Sequence, residues 1–503
     1  MTTFKKAFQG YGFWLLLGGG VALLHALLNG QYGLHRDELD ILMSARQLDW
    51  GYVAYPPLTP FMARIALELF GNSLQGLRLF SALGQGVVVV LAGLMAADLG
   101  AKRPGQVMAA LAAFCAPAAL TSGTLIQYMA FDYVWWVVAA FCFVRLLRTD
   151  NPRWWLGIGA ALGLGMQTKY TVAFWAVGLA AAVLLTSTRR YLRSPWLWAG
   201  AGLALLIVVP NLIWQVQHHF ISLSFLNAIH ARDIAWGRTA NFLSGQLLQS
   251  TNPLTLPLSA AGLGLCVFAK GFKRFRALGM AFLVTFALLW FSPGRAYYAS
   301  PAYVMLLAAG AAGWEGWLAG RTVIVRRIVQ AGSWALLAVA VVTVVVIVKP
   351  VAPINSALWK ITSGLNPEVV EMVGWDDLTA QVAGVYATIP AEEKPRTVIL
   401  AANYGEAGAL DLYGPAYRLP PVISGANSLW ASGYGSPDPE TVIVVGFERP
   451  YAAQYFGSCQ TAGRVTNRYN VQNEETTRHT GLYVCRQPRQ PWAEMWPTMQ
   501  WFQ

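Results

Sequence analysis

The chain has 503 residues, of which 56% are hydrophobic and only 12% charged, with a formal net charge of +12. An ordinary soluble domain carries about 25% charged residues, so lipid has to cover much of this surface, and a wholly soluble protein is excluded. The basic excess falls in short clusters between apolar runs, the way Lys and Arg anchor helix ends, and no basic-aromatic platform for nucleic acid appears.

Apolar spans are predicted at about 10–28, 76–98, 105–120, 133–147, 154–168, 171–187, 196–213, 254–269, 277–291, 301–318 and 329–348. This gives an α-helical polytopic membrane protein of about eleven transmembrane helices. The first span lacks a small-x-small cleavage site and more spans follow it, so it reads as a retained helix and not as a cleaved signal peptide. With Lys5 and Lys6 in the cytoplasm, alternate loops carry Lys102/Arg103, Arg145/Arg148/Arg153, Arg189/Arg190/Arg193, Lys270/Lys273/Arg274/Arg276 and Arg321/Arg326/Arg327. The opposite loops are longer and hold fewer cations, which is the positive-inside pattern. It places the N-terminus in the cytoplasm and the C-terminal part outside.

Two outer loops are long, 29–75 and 214–253. In the first, Leu39, Leu42 and Met43 have helical spacing, and residues 61–70 read as a second interfacial helix. Pro56-Pro57 sets an extended turn between them. From residue 349 charged and turn residues return. Thr397–Ala402 and Glu440–Gly446 read as buried strands, 375–388 as a helix, and 403–413 as a loop entering a helix. The expected division is therefore a helical membrane domain, 1–348, and an extracytoplasmic α/β domain, 349–503.

Cys115, Cys142 and Cys266 fall in spans. Cys459 and Cys485 fall in the outer part, where an oxidising compartment permits a disulfide; two free buried thiols are the alternative. Asp37-Glu38, just after the first span, has three readings: acids at a helix N-terminus, a salt bridge with Arg36, or a catalytic base with an accessory acid. Lys169 and Arg295 stand at outer helix ends, where an anionic lipid headgroup would pair with them; snorkelling to the interface accounts equally for Lys169. Asp132 opens a span beside Tyr128, Tyr133 and Trp135, and a helix N-cap is its structural alternative. Tyr297 and Tyr298 fit an interfacial aromatic belt. His218, His219 and His230 crowd the second long loop, but an adjacent pair does not establish convergent metal ligands.

Several runs in order resemble bacterial members of glycosyltransferase family 39, related to protein O-mannosyltransferases within the GT-C class. They are Arg36-Asp-Glu-Leu39, Gly51-Tyr-Val-Ala-Tyr-Pro-Pro-Leu-Thr-Pro60, Phe131-Asp-Tyr133, Thr168-Lys-Tyr170, Gly294-Arg-Ala-Tyr-Tyr298, Asn403–Gly414 and Leu419–Asn427. The resemblance implies a GT-C fold in a bacterial inner (plasma) membrane. It implies an inverting transferase that takes a sugar from a polyprenyl-phosphate donor to an acceptor hydroxyl of a glycan, lipid or protein. Carried over to this sequence, Asp37 is the base and Glu38 its neighbour. Arg36, Tyr55, Asp132, Lys169, Arg295, Tyr297 and Tyr298 are the expected substrate-binding residues. The resemblance fixes no cofactor with certainty; a divalent metal is compatible with the class. Tyr55 precedes the Pro pair where aminoarabinose transferases of the class have an acid and a Lys, a departure that puts a metal or phosphate contact of their kind in doubt. Residues 127–131 lack an acid that some members carry there. The competing reading is a transporter or flippase for lipid-linked sugars, which calls for inverted repeats and midplane charges; no repeat is evident and the candidate charges gather at one face.

Overall fold

The computed structural model describes residues 2–503, with side chains from Gly12 onward; Lys5 and Lys6, used above for orientation, lie outside the described side chains. Each of the eleven apolar windows holds a helix. They differ in length. Leu79–Asp98, Tyr128–Thr149, Pro195–Gln217, Lys270–Phe291 and Val323–Val348 are long and apolar enough to cross a membrane. A sixth arises if Val172–Leu185 and Ser187–Arg193, bent by 101°, count as one span. The chain is thus a multi-pass membrane protein. Gly12–Leu28, Trp154–Met166 and Leu256–Phe268 are shorter apolar helices. A helix of 13 residues such as Trp154–Met166 rises about 20 Å, less than a hydrocarbon core of about 30 Å. The 105–120 window breaks into Arg103–Phe114 and Pro117–Ser122, because Pro117 cannot continue a helix and starts a new one.

Small residues let the helices meet. A Cβ on Gly262 would stand 1.9 Å from the Leu306 carbonyl oxygen, and one on Gly310 would stand 1.9 Å from that of Leu258. Helices Leu256–Phe268 and Ser300–Ala319 therefore pack backbone to backbone, as small-residue interfaces in lipid do. Residues 300–312 are buried throughout, so this helix is the centre of the bundle.

Beyond Lys349 a five-stranded sheet forms, in the spatial order β2 (Val422–Ile423), β1 (Thr397–Ala401), β3 (Thr441–Val445), β5 (Gly481–Pro488) and β4 (Phe456–Arg464). The central strands β1 (Thr397–Ala401) and β3 (Thr441–Val445) are parallel and wholly buried, which is why they read as continuous apolar runs. β2 (Val422–Ile423), β4 (Phe456–Arg464) and β5 (Gly481–Pro488) complete it. β4 and β5 are half-exposed and mixed in composition, and no apolar run announces them. Cys459 and Cys485 are directly opposed in this pair and are joined as a disulfide.

Composition changes at residue 349, but the core does not divide there. Leu39, Leu42, Tyr55 and Ala63 of the first long loop share one apolar cluster with Trp375, Leu378, Ala407 and Leu410. A Cβ on Gly408 would lie 2.7 Å from that of Leu39, so helices Arg36–Arg46 and Tyr404–Tyr413 are in close contact. This contact positions the site.

Candidate functional site

Helix Arg36–Arg46 opens with a capping box. The Asp37 amide donates to His35 Nδ1 (3.2 Å) and the His35 amide donates to Glu38 Oε2 (2.8 Å). The box sends the two adjacent acids in opposite directions. Glu38 points inward and is fully buried. It receives Arg78 Nε on Oε1 (2.8 Å), Arg78 Nη2 on Oε2 (2.5 Å) and the Ile126 amide on Oε1 (2.9 Å). Arg78, equally buried, also donates to the carbonyls of Asn29 (2.6 Å) and Gly33 (2.7 Å). Both carboxylate oxygens of Glu38 are thus engaged within the protein, and Glu38 anchors the loop.

Asp37 points outward, with its side chain 26% exposed. Tyr404, at the start of the Tyr404–Tyr413 helix, donates its hydroxyl to Asp37 Oδ1 (3.0 Å). His35 Nδ1 lies 3.8 Å from Oδ2 and Arg36 Nε 4.0 Å from Oδ1. Burial disfavours charge on His35, yet Asp37 and Glu368, whose Oε2 is 3.1 Å from His35 Nε2, raise its pKa. Arg36 is committed to an ion pair with Glu474 and lies over the Tyr404 ring, 5.9 Å from its centroid. It braces Asp37 from the side.

Lys169 occupies the turn between helices Trp154–Met166 and Val172–Leu185. The first long loop reaches this turn, because the Leu58 amide donates to the Gln167 carbonyl (2.8 Å). The Lys169 ammonium lies 4.9, 5.0 and 4.3 Å from the ring centroids of Tyr128, Tyr297 and Tyr298. Among the described residues it makes no ion pair within 4.0 Å. Burial lowers its pKa; the charges of Tyr298, Asp132 and Asp37 oppose that, and Arg295 adds to it. Tyr297 and Tyr298 are therefore cage residues for a cation, not belt residues alone.

Asp132 does not cap its helix, which begins a turn earlier at Tyr128 with Gln127 as the N-cap. Its Oδ1 accepts from Trp136 Nε1 (3.0 Å) and its Oδ2 from Thr171 Oγ1 (3.2 Å), so it fixes the turn that carries Lys169. Tyr55 turns away from the cage. Its hydroxyl donates to Asp40 Oδ2 (2.8 Å) and lies 3.0 Å from Ser44 Oγ, while its ring sits 6.0 Å from that of Tyr128. In this arrangement Tyr55 backs the tyrosine cage through its ring beside Tyr128.

Arg295 Nε and Nη2 both reach Asp233 Oδ2 at 2.6 Å. Arg232 Nη2 (3.3 Å) and Arg238 Nη1 (3.6 Å) approach the other oxygen of the same carboxylate. One carboxylate facing three guanidinium groups leaves a positive surplus beside Lys169. Asp233 and Arg232 belong to helix Ile221–Ala235 and Arg238 to the turn after it, inside the second long loop; like Tyr404, they are site residues that the sequence does not single out. The charge alternation Arg232-Asp233 was the one available signal. The histidines of this loop do not converge. His218 stacks on Trp214 at 3.9 Å, and among the described residues no group of three or more His, Cys, Asp or Glu side chains could hold a metal ion.

Residues 54–214 match the family described as dolichyl-phosphate-mannose-protein mannosyltransferase. The chain is 31% identical over 176 residues to undecaprenyl phosphate-alpha-4-amino-4-deoxy-L-arabinose arabinosyl transferase 1 of Pseudomonas fluorescens, covering 33% of this chain and 31% of that one. It is 26% identical over 201 residues to lipid A galacturonosyltransferase RgtD of Rhizobium johnstonii, covering 40% and 41% respectively. The match thus spans about a third to two fifths of these curated relatives' own length. In fold, the chain is similar to the crystal structure of ArnT from Cupriavidus metallidurans. The TM-score is 0.52 to the apo state, at 15% identity, and 0.50 to the form bound to undecaprenyl phosphate, at 17% identity; each covers 94% of this chain and 98% of the other. The resemblance to GT-C membrane glycosyltransferases holds at both levels, in sequence over 54–214 and in fold over nearly the whole chain.

Proposed function

We propose that this chain is an inverting glycosyltransferase that moves a sugar from a polyprenyl-phosphate donor to an acceptor hydroxyl at the outer face of the bacterial plasma membrane. The observation that carries the reading is Lys169. It is a cation held among three tyrosine rings without a carboxylate within ion-pair distance, next to an outward-facing Asp37. A cation kept in this state, beside a surplus of arginines, is complete only with an anionic ligand. The relatives named for undecaprenyl phosphate or lipid A chemistry, and the solved ArnT complex with undecaprenyl phosphate, support a lipid phosphate as that anion.

In the reaction, Asp37 takes the proton of the acceptor hydroxyl, whose oxygen attacks the anomeric carbon. The bond from that carbon to the phosphate oxygen breaks, and the polyprenyl phosphate leaves with the electron pair. Lys169 and Arg295 stabilise the growing phosphate charge. Tyr404 and His35 hold Asp37 in place, and Asp132 holds the Lys169 turn. The excess of cations in alternate short loops supports a cytoplasmic N-terminus and an extracytoplasmic site.

The reading is tested by binding of undecaprenyl phosphate to the purified full chain. Lys169→Met and Arg295→Met each remove a charged donor worth about 1.5–3 kcal/mol, so affinity falls about tenfold to hundredfold in each. Unchanged affinity in both variants overturns the phosphate assignment.

A further inference from the structure

A short helix outside the site presents an apolar face that has no protein partner among the described residues. Helix Ala357–Leu365 follows the last long span, Val323–Val348, after the turn around Pro350 and Pro353. One face is pinned inward, where Trp359 is buried with Ala352, Val373 and Val471. On the opposite face Leu358, Ile361 and Leu365 are 44%, 62% and 63% exposed. Their spacing of three and four residues makes one stripe. Three large aliphatic residues in a stripe are costly to leave in water.

Two contacts set the level of this helix. Asn366, its C-cap, donates through Nδ2 to the Ile347 carbonyl (3.3 Å), in the last turn of the Val323–Val348 span. That span carries its own exposed apolar stripe, Leu336, Val339 and Val342. That stripe ends at Val342, six residues before the span does. Lys360, exposed beside Ile361, places a flexible cation where phosphate headgroups stand.

We propose that helix Ala357–Leu365 lies in the membrane interface, with Leu358, Ile361 and Leu365 in the acyl boundary at the bilayer face where the last span emerges. The occupant of the stripe is lipid, continuous with the lipid around the span. The helix is a two-faced clamp, with Trp359 gripping the α/β part and the aliphatic stripe gripping the bilayer. The chain runs from it directly into the Pro367–Met372 turn, whose Glu368 meets His35 at the cap of the Asp37 helix. Lipid contact is thereby tied to the segment that borders the site.

The test is photolabelling of the full chain in phosphatidylethanolamine–phosphatidylglycerol vesicles that carry a phospholipid with a diazirine on its acyl chain, with adducts mapped by mass spectrometry. The expected result is adducts on residues 357–365 together with 336–342, and none on the exposed side of helix Trp375–Ala387. Adducts on 336–342 with none on 357–365 overturn the proposal, whether water or a second copy of the chain covers the stripe. In the double variant I361E/L365E the adducts on 357–365 are lost while those on 336–342 persist; equal labelling of 357–365 in that variant contradicts the assigned face.

Discussion

Two adjacent acids are assigned opposite work, and substitution separates them. In Arg78→Met a near-isosteric side chain fills the space, but buried Glu38 keeps only the amides of His35 and Ile126 and loses its counter-charge. Leaving one member of a buried pair alone costs about 3–5 kcal/mol. A chain of 503 residues has an unfolding entropy of about 1 kcal/mol per degree, so the apparent Tm falls by about 3–5 °C if the chain melts as one unit. The fall is larger if the part that contains the first loop melts alone. Asp37→Asn differs: its partners are a tyrosine hydroxyl that Asn still accepts from and charges at 3.8 and 4.0 Å on a partly exposed group, worth about 0–1 kcal/mol. Thermal unfolding of both variants in one detergent, followed by loss of the monodisperse peak, makes the comparison. An Arg78→Met chain that melts with the wild type, or an Asp37→Asn chain that melts as low as Arg78→Met is expected to, refutes the division of roles.

Two other predictions follow from particular groups. Burial pushes the Asp40 carboxyl up to about 7, with Asp37 adding to the rise and the Tyr55 hydrogen bond opposing it. The unfolded group titrates near about 3.9. Stability from this site is therefore present below about pH 4 and lost as pH rises to about 7. Asp40→Asn removes the loss, so its advantage over the wild type grows across that window to about 4 kcal/mol and is flat above it, as melting at about pH 4 and about pH 8 will register. For topology, single cysteines replacing Ser73 and Ser436 react with an impermeant maleimide from the same side of sealed vesicles, and a cysteine replacing Lys273 reacts from the other. Ser73 and Ser436 labelled from opposite sides would overturn the eleven-span arrangement.

The helices were legible because each rests on a local property, an apolar run of sufficient length. The central strands were legible for the same reason, and the helix at Asn403–Glu406 has a capping box that stands in the sequence. Partnerships across space were not. Glu38 and Arg78 are 40 residues apart, and nothing in Arg36-Asp-Glu says which acid turns inward. The capping box decides it, and the box rests on His35, an unusual cap residue. Tyr55 stood in a motif and was expected at the substrate, yet its hydroxyl serves Asp40. Tyr404 stands in a run that carries the resemblance and Asp233 in a charge alternation, but neither says which partner it meets, because those partners lie 367 and 62 residues away. Lys169 and Arg295 were legible, since a charge at the end of an apolar run needs an explanation wherever it occurs.

The central claim is that Asp37 is the base of a transfer from a polyprenyl-phosphate sugar. Its most direct test is transfer by purified wild-type and Asp37→Asn chains, with a matched donor and acceptor, alongside donor binding measured on the same samples. The account predicts that Asp37→Asn binds undecaprenyl phosphate as the wild type does and transfers nothing above background. Transfer at the wild-type rate by Asp37→Asn contradicts it.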